Sequence, residues 1–417
     1  MMNGFDVIIG AGITGLAYAG FSSKPCVILE KDDHIGGMCN TIKQDGFIWD
    51  YSGHFFHFQR QAMGAYVQDR MNADDIVNVQ KRTQIKYKDR YIDFPFQKNI
   101  HQLEYNEFVD CLCDLFETGA VAVDSFKSML YSKFGKSISD KFLIPYNEKL
   151  YAIDLDRLDV DSMGRYFPYA DREEIIRNFR RQKNDSYNGT FMYPKGGAIQ
   201  YVNAIARDIP AETISLNETV VNVDLRKHVV QTNRRFIEYK HLISTVPLID
   251  LVELTDLPCQ KDAFSWNKVL VFNLGFDAPS DDRANHWIYY PEKRYCFYRV
   301  GFYSNIIPSE RMSLYVEIGL SKDAEVDVDR MLQNTLRDLQ DAGVVSTQKL
   351  VSWHFVLMNP AYVHVTRQGI AETQRIKRQL ADSDVYSIGR YGSWNYSSIE
   401  DNMVEAMELV KRLEKEQ

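Results

Sequence analysis

A chain of 417 residues exceeds what one ordinary hydrophobic core organises, so two or three structural units are expected. Hydrophobic residues at 45% and charged residues at 25% place it with globular proteins and exclude the disordered class. A net charge of −8 argues against a nucleic-acid partner, which needs concentrated Lys and Arg, but leaves room for an anionic small ligand held by a few arginines.

Residues 5–10 read as a short buried strand, 13–21 as a helix and 24–30 as a second strand. That order is what a parallel βαβ unit requires. Residues 36–58, rich in Gly and aromatics, read as loop and short strand. From 100 to about 180 the pattern turns helical, with Leu103, Phe108, Leu112 and Leu115, then Phe126, Met129, Leu130 and Phe134, near helical spacing. Short strands are predicted at 219–223, 229–232 and 242–245. Segments 269–276, 287–290, 296–302 and 313–318 read as antiparallel strands of a second sheet. A helix at 328–342, strands at 350–357 and 385–388, and an amphipathic helix at 401–415 complete the pattern.

Cys26, Cys39, Cys111, Cys113, Cys259 and Cys296 form no CxxC pair and have no His at ligand spacing, so no metal site is expected. Scattered free thiols, no leader-like opening and no apolar stretch of membrane-span length point to a cytoplasmic protein without a membrane span.

Gly10-Ala11-Gly12-Ile13-Thr14-Gly15 fits the GxGxxG dinucleotide fingerprint, directly after a strand and opening a helix. The first Gly permits the tight turn, the second lets a pyrophosphate approach the backbone, and the third lets helix pack on strand. The phosphates would sit at the positive helix N-terminus. Glu30 ends the second strand, where its carboxylate can accept from ribose hydroxyls. Lys31 follows, then Gly36-Gly37, a pattern associated with flavoproteins. A second Gly-rich element, Ser387-Ile388-Gly389-Arg390, precedes the last helix and would close over the isoalloxazine end. FAD is therefore expected rather than NAD.

The middle of the chain carries a closer resemblance. Phe94-Pro95-Phe96-Gln97-Lys98-Asn99-Ile100 resembles the YPFQNNI segment of UDP-galactopyranose mutases, and Pro145-Tyr146-Asn147-Glu148-Lys149-Leu150-Tyr151 the RPYNxKxW stretch of their eukaryotic-type branch. Tyr193-Pro194-Lys195-Gly196-Gly197, Trp287-Ile288-Tyr289, Phe297-Tyr298-Arg299 and the segment from Gly389 to Tyr396 match in the same order. The resemblance implies an α/β fold in three parts. An FAD-binding Rossmann domain would take 1–60, 196–247 and 378–417, a helical domain 100–187, and an antiparallel sheet domain 61–99, 188–195 and 248–377. It implies interconversion of UDP-galactopyranose and UDP-galactofuranose without net oxidation, with N5 of reduced FAD attacking the anomeric carbon.

Carried over by position, Arg165 and Arg299 would grip the diphosphate, where a permanently charged planar fork suits phosphate oxygens. Tyr289, Tyr362 and Tyr396 would donate to it, Tyr362 across an alignment gap. Trp287 and Asn188 would lie beside the sugar. Phe142, Asn147, Tyr151 and Gln97 would form the uridine pocket, although Tyr151 stands where the family has Trp, Phe94 where it has Tyr, and Leu143 where it has Met. His54 falls on the loop beside the isoalloxazine, as a proton-transfer group or as a shaper of that loop, with Gly53 next to it. Val221 would be a further cofactor contact, and Asp401, Asn402 and Met403 would offer backbone N–H groups to the flavin. The resemblance admits NAD(P)H as reductant, with Arg82 the nearby arginine across a one-residue gap. Homo-oligomerisation stays open. The alternatives are a mutase of another nucleotide sugar (UDP-N-acetyl-, GDP- or dTDP-linked), an amine- or porphyrinogen-type oxidase, and a non-catalytic flavin scaffold.

Overall fold

The strand Asp6–Ile9 is buried at every position because it is flanked on both sides and covered on both faces. It pairs in parallel with Cys26–Leu29 and with His241–Ser244. A strand so placed reads as a continuous apolar run rather than an alternating one. Val385–Ser387 and Ile214–Ser215 extend the sheet at its two edges, both in parallel. The computed structural model describes residues 5–117, 122–180, 183–184 and 189–415. The helix Ile13–Phe21 packs against Ile199–Ala206 and the closing helix Ile399–Lys415, and their apolar faces share one core.

The second sheet has seven strands in the order Leu350–Met358, Asn267–Phe276, Ser313–Ser321, Arg299–Phe302, Trp287–Tyr289, Thr83–Tyr87 and Arg90–Asp93. It was expected to be antiparallel and is mixed, because Trp287–Tyr289 runs parallel to Thr83–Tyr87. Hairpins force antiparallel pairing, but a junction between segments 204 residues apart, as Thr83 and Trp287 are, carries no such constraint. One face carries Leu270, Phe272 and Leu274 against the helix Val328–Asp341. The opposite face carries Val269, Val271 and Tyr289 into a core shared with the helices Tyr105–Phe116, Phe126–Ile138 and Ile144–Tyr151. A reciprocal Ser125–Ser128 capping box starts Phe126–Ile138, and a π turn at Ser139–Leu143 leads directly into Ile144–Tyr151.

Helix 13–21 and strand 229–232 fall where the sequence placed them, and the closing helix begins at Ile399 rather than 401. The six cysteines are unbridged. Among the described residues no group of His, Cys, Asp and Glu could hold a metal ion, and no helix is long and apolar enough to cross a membrane.

Candidate functional site: a dinucleotide cradle and an arginine–tyrosine wall

The GxGxxG turn has three different glycines. Gly10 has φ +99°, a conformation L side chains avoid. A Cβ on Gly15 would lie 2.1 Å from the Gly10 carbonyl oxygen, so that position serves helix-on-strand packing. A Cβ on Gly12 would meet nothing within 4 Å, which leaves its backbone accessible to a ligand. Gly36 N–H donates to Ala11 O at 2.9 Å, so the second glycine pair lies against the turn, with Gly37 close to the Gly12 backbone. Thr14 touches Gly389, where a side chain would strike the Thr14 hydroxyl at 2.6 Å. Glu30 is buried and accepts from the Ala11 N–H at 2.7 Å and the Asp32 N–H at 3.0 Å. A carboxylate has further lone pairs for ribose hydroxyls. These features fit an FAD's ADP half, and Ile13 is buried at the start of the helix behind it.

The other residues expected at the cofactor are placed as follows in the fold. Met403 is fully buried in the core, so only its backbone is available. The N–H of Asp401 donates to Ser398 Oγ at 3.2 Å and that of Asn402 to Ser398 O at 3.1 Å, so neither is left for a flavin carbonyl. The helix begins two residues earlier than expected, which pairs these N–H groups within its first turn. Val221 is exposed in a register irregularity between Val220 and Asn222, and Lys31 is exposed. Asn188 lies outside the described residues.

The loop Ser52-Gly53-His54 follows the strand Phe47–Asp50. A side chain on Gly53 would clash with the Tyr315 ring, so this glycine allows a close approach. His54 Nδ1 is buried with no hydrogen-bond partner among the described residues, an orphan that suits a cofactor or substrate neighbour. Burial above all, with the Arg390 and Arg299 charges adding to it against Glu317, holds the His54 ring down at about 4. The imidazole is neutral at physiological pH. Asp50 anchors the loop: it accepts from Thr41 Oγ1 at 2.6 Å, Ala198 N at 2.9 Å and Tyr193 OH at 2.9 Å. Burial pushes its carboxyl up to about 6.

Arg299 and Glu317 face each other across two antiparallel strands. Arg299 donates through Nε and Nη2 to the Glu317 oxygens at 2.6 and 2.7 Å, and Ser52 Oγ donates to the same carboxylate. Glu317 is 1% exposed. Its desolvation favours the protonated acid, but Arg299 and these hydrogen bonds outweigh that and hold the carboxyl below its ordinary range. The ion pair thereby ties the arginine to the loop carrying His54. Arg390 lies 4.7 Å from the Tyr396 ring centre and 5.2 Å from that of Tyr362, and these two rings stack at 5.7 Å. Tyr289 joins through Tyr146, with which it makes an edge contact at 5.1 Å. Trp287 stacks on Phe55, the residue after His54, at 5.4 Å. Arg165 is set apart: it is exposed and pairs with Asp401 at 2.5 Å.

Around Ile144–Tyr151 the structure gathers Phe142, Asn147, Tyr151 and Gln97. Phe142 stacks between Phe96 and Tyr146, and Tyr151 makes an edge contact with Tyr362. The Gln97 amide donates to Pro168 O and that of Asn147 to Leu143 O, while the buried carbonyl oxygens of both have no partner among the described residues. Lys149 from the same helix donates to the carbonyl oxygens of Tyr290, Glu292 and Phe297. Burial lowers its pKa to about 7. Glu317, Ser52 and Asp50 escaped the sequence reading. The detectable signal for Glu317 was a single acid inside the otherwise apolar strand Ser313–Ser321, since a lone buried charge requires a partner.

A family model described as flavin containing amine oxidoreductase matches residues 14–400. Among solved structures, one of reduced UDP-galactopyranose mutase superposes with a TM-score of 0.92 at 24% identity, covering 100% of this chain and 95% of that one. Cyclohexylamine oxidase from Brevibacterium oxydans IH-35A gives 0.71 at 15% identity over 99% of each chain. A fatty acid isomerase from P. acnes that produces CLA gives 0.67 at 12% identity over 98% of each. At such identities the likeness shows the fold, a Rossmann unit joined to helical and sheet layers, and one fold hosts several chemistries. The family match spans nearly the whole chain, and the protein belongs to the flavin-containing amine oxidoreductases.

Proposed function

We propose that the chain is a nucleotide-sugar mutase interconverting UDP-galactopyranose and UDP-galactofuranose, with no net change in oxidation level. The observation that carries this reading is the wall of Arg299, Tyr289, Tyr362 and Tyr396 beside the His54 loop, with Arg390, expected at the flavin, lying over the Tyr362 and Tyr396 rings. Buried guanidinium and phenol groups suit a diphosphate, whereas amine or porphyrinogen oxidation calls for an apolar cavity. FAD held by the glycine cradle would, in its reduced form, supply a nucleophile at N5 for the anomeric carbon. The residues of the chain do the rest. Glu317 occupies Nε and Nη2 of Arg299 and leaves Nη1 as the end that addresses phosphate oxygens. Charge growing on the departing UDP then meets donors that are already oriented, which is where electrostatic catalysis gains most.

Gln97 and Asn147 present carbonyl acceptors, the complement of the uracil N3–H, with Tyr151 nearby for stacking. His54, neutral at working pH, shapes the loop and offers Nδ1 as a hydrogen-bonding atom rather than cycling as a base. The mutase reading requires a source of electrons to prime the flavin, a role NAD(P)H would fill.

The test is to incubate dithionite-reduced protein with UDP-galactopyranose and with UDP-N-acetyl-, GDP- and dTDP-linked sugars, and to separate furanose products by chromatography. Furanose should form only with reduced flavin and without stoichiometric reductant. Tyr151 and Phe94 in place of the family's Trp and Tyr favour the second reading, another base or sugar, which a better GDP- or dTDP-linked substrate would establish. Oxygen uptake matching turnover of an amine, with no nucleotide sugar converted, would overturn both in favour of an oxidase.

A further inference from the structure

We infer that Asp401 sets the affinity of the site for its anionic ligand by competing for Arg165. The starting point is local. Ser398 precedes the helix Ile399–Lys415, and Asp401 is its third residue. Asp401 Oδ2 accepts from Ser398 N at 3.0 Å and from Ser398 Oγ at 2.9 Å, while Ser398 Oγ accepts from Asp401 N at 3.2 Å. This reciprocal arrangement caps the helix start with one carboxylate oxygen. The other oxygen, Oδ1, takes Arg165 Nη2 at 2.5 Å.

Arg165 comes from the turn Gly164–Tyr166, far away in sequence, and its Nη1 also donates to Gln59 Oε1 at 2.8 Å. The turn is docked a second time, since Ser398 N–H donates to Tyr166 OH at 2.9 Å. The Tyr166 ring lies 5.0 Å from that of Tyr396, which stacks on Tyr362 beneath Arg390. Arg165 therefore stands one aromatic ring away from the wall assigned to the diphosphate, held there by an internal carboxylate. Its side chain is 40% exposed, so it can change partners without disturbing a core. Arg299 cannot, because buried Glu317 fixes it. Arg60, with Nη1 3.9 Å from Asp401 Oδ1, is placed to take the carboxylate when Arg165 leaves. Of the two arginines expected at the diphosphate, Arg299 is thus fixed and Arg165 exchangeable, and a bound diphosphate must draw the second from Asp401. Asp401 is a positioning residue with a cost to binding, and the inference rests on the nucleotide-diphosphate reading above.

The experiment is UDP binding to the FAD-loaded protein by isothermal titration calorimetry, in wild type, Asp401→Asn, Arg165→Ala and the double variant. Asn keeps an oxygen for the cap and removes the charge. Asp401→Asn should bind UDP roughly two- to fivefold tighter, the range of an exposed ion pair, and Arg165→Ala more weakly. In the Arg165→Ala background the Asp401 change should have no effect, because contacting residues are coupled. Asp401→Gln, which retains a capping-box side chain, repeats the measurement if the Asn variant loses flavin. Unchanged or weaker UDP binding in the Asp401 variants overturns the inference. So does an equal gain in both backgrounds, which would make Asp401 a remote negative charge. A wild-type protein that binds no UDP removes the diphosphate reading itself, an outcome distinct from UDP binding that ignores Asp401.

Discussion

On the reading proposed above, the glycine cradle and the arginine–tyrosine wall solve the same problem, holding phosphate groups, by opposite means. The cradle uses backbone N–H groups and a helix terminus from one stretch of sequence, Gly10 to Gly15, with Glu30 soon after. The wall uses side chains from remote segments, around 52–54, 289–299, 317, 362 and 390–396, which meet only in the folded chain. A backbone site tolerates no added atoms, whereas a side-chain site tolerates substitution but depends on buried charge balance. That difference predicts where each fails.

The largest effect is expected at Gly15. Valine there would place Cβ 2.1 Å from a backbone oxygen, and soluble, helical protein should be lost by circular dichroism. Gly12→Leu has open space around it and should fold with a normal melting curve yet carry no flavin absorbance. A Gly12→Leu protein with full FAD content would break the assignment of the cradle. Next comes Glu317→Ala, which strands the Arg299 charge. Losing one partner of a buried ion pair costs about 3–5 kcal/mol, readable by urea denaturation. A loss no larger than that of a surface pair would mean water reaches the arginine.

UDP affinity sharpens the comparison within the wall. Arg299→Ala should cost about 2–5 kcal/mol, a loss of roughly 30-fold to several-thousand-fold. Arg299→Lys should recover only part, because an ammonium lacks the fork. Arg165→Ala, removing an exposed residue, should cost about tenfold or less. Equal losses would mean that Arg165 is buried when ligand binds.

The smallest expected effect is a pH dependence. His54 is held at about 4 against an ordinary 6.5, so the unfolded chain takes up a proton between those values and the folded chain does not. Its contribution to stability is complete above about 6.5 and is lost as pH falls toward 4. His57, His286 and His364 are lowered to about 4 by burial and act in the same direction. Asp50, raised to about 6, works against them, since its contribution is present below 3.8 and fades as pH rises through 6. The melting-temperature advantage of wild type over His54→Asn should shrink between about pH 7 and 4.5. The pH–rate profile should show no limb near 6.5 that His54→Asn removes.

Much of the cradle was legible because its information is local: a strand, a turn with glycines at fixed offsets, a helix and an acid at the end of the next strand. The arginines and tyrosines were reached through segment resemblance, not through spacing, because nothing between residues 54 and 396 sets their distances in sequence terms. Glu317 was out of reach for the same reason, since its meaning lies in the register opposite Arg299. The pairing of the Asp401 and Asn402 N–H groups had a local signal. Ser398 and Asp401, three apart before an amphipathic run, already signal a capping box, and a capped helix start has fewer N–H groups to offer. The mixed pairing of the second sheet could not be inferred from either strand alone.

Lys149 gives the site a fixed gauge. Its ammonium bridges the helix that carries Asn147 and Tyr151 to three carbonyls in the segment just after Tyr289. On the reading proposed above, one end of that bridge recognises the base and the other the diphosphate, so the span between them is set by the protein before any ligand arrives. A ligand is then measured for length as well as for chemistry. Nucleoside mono- and diphosphates bearing the same base should be told apart more sharply than one extra phosphate contact would account for, and cutting the bridge should blunt that discrimination before it weakens binding.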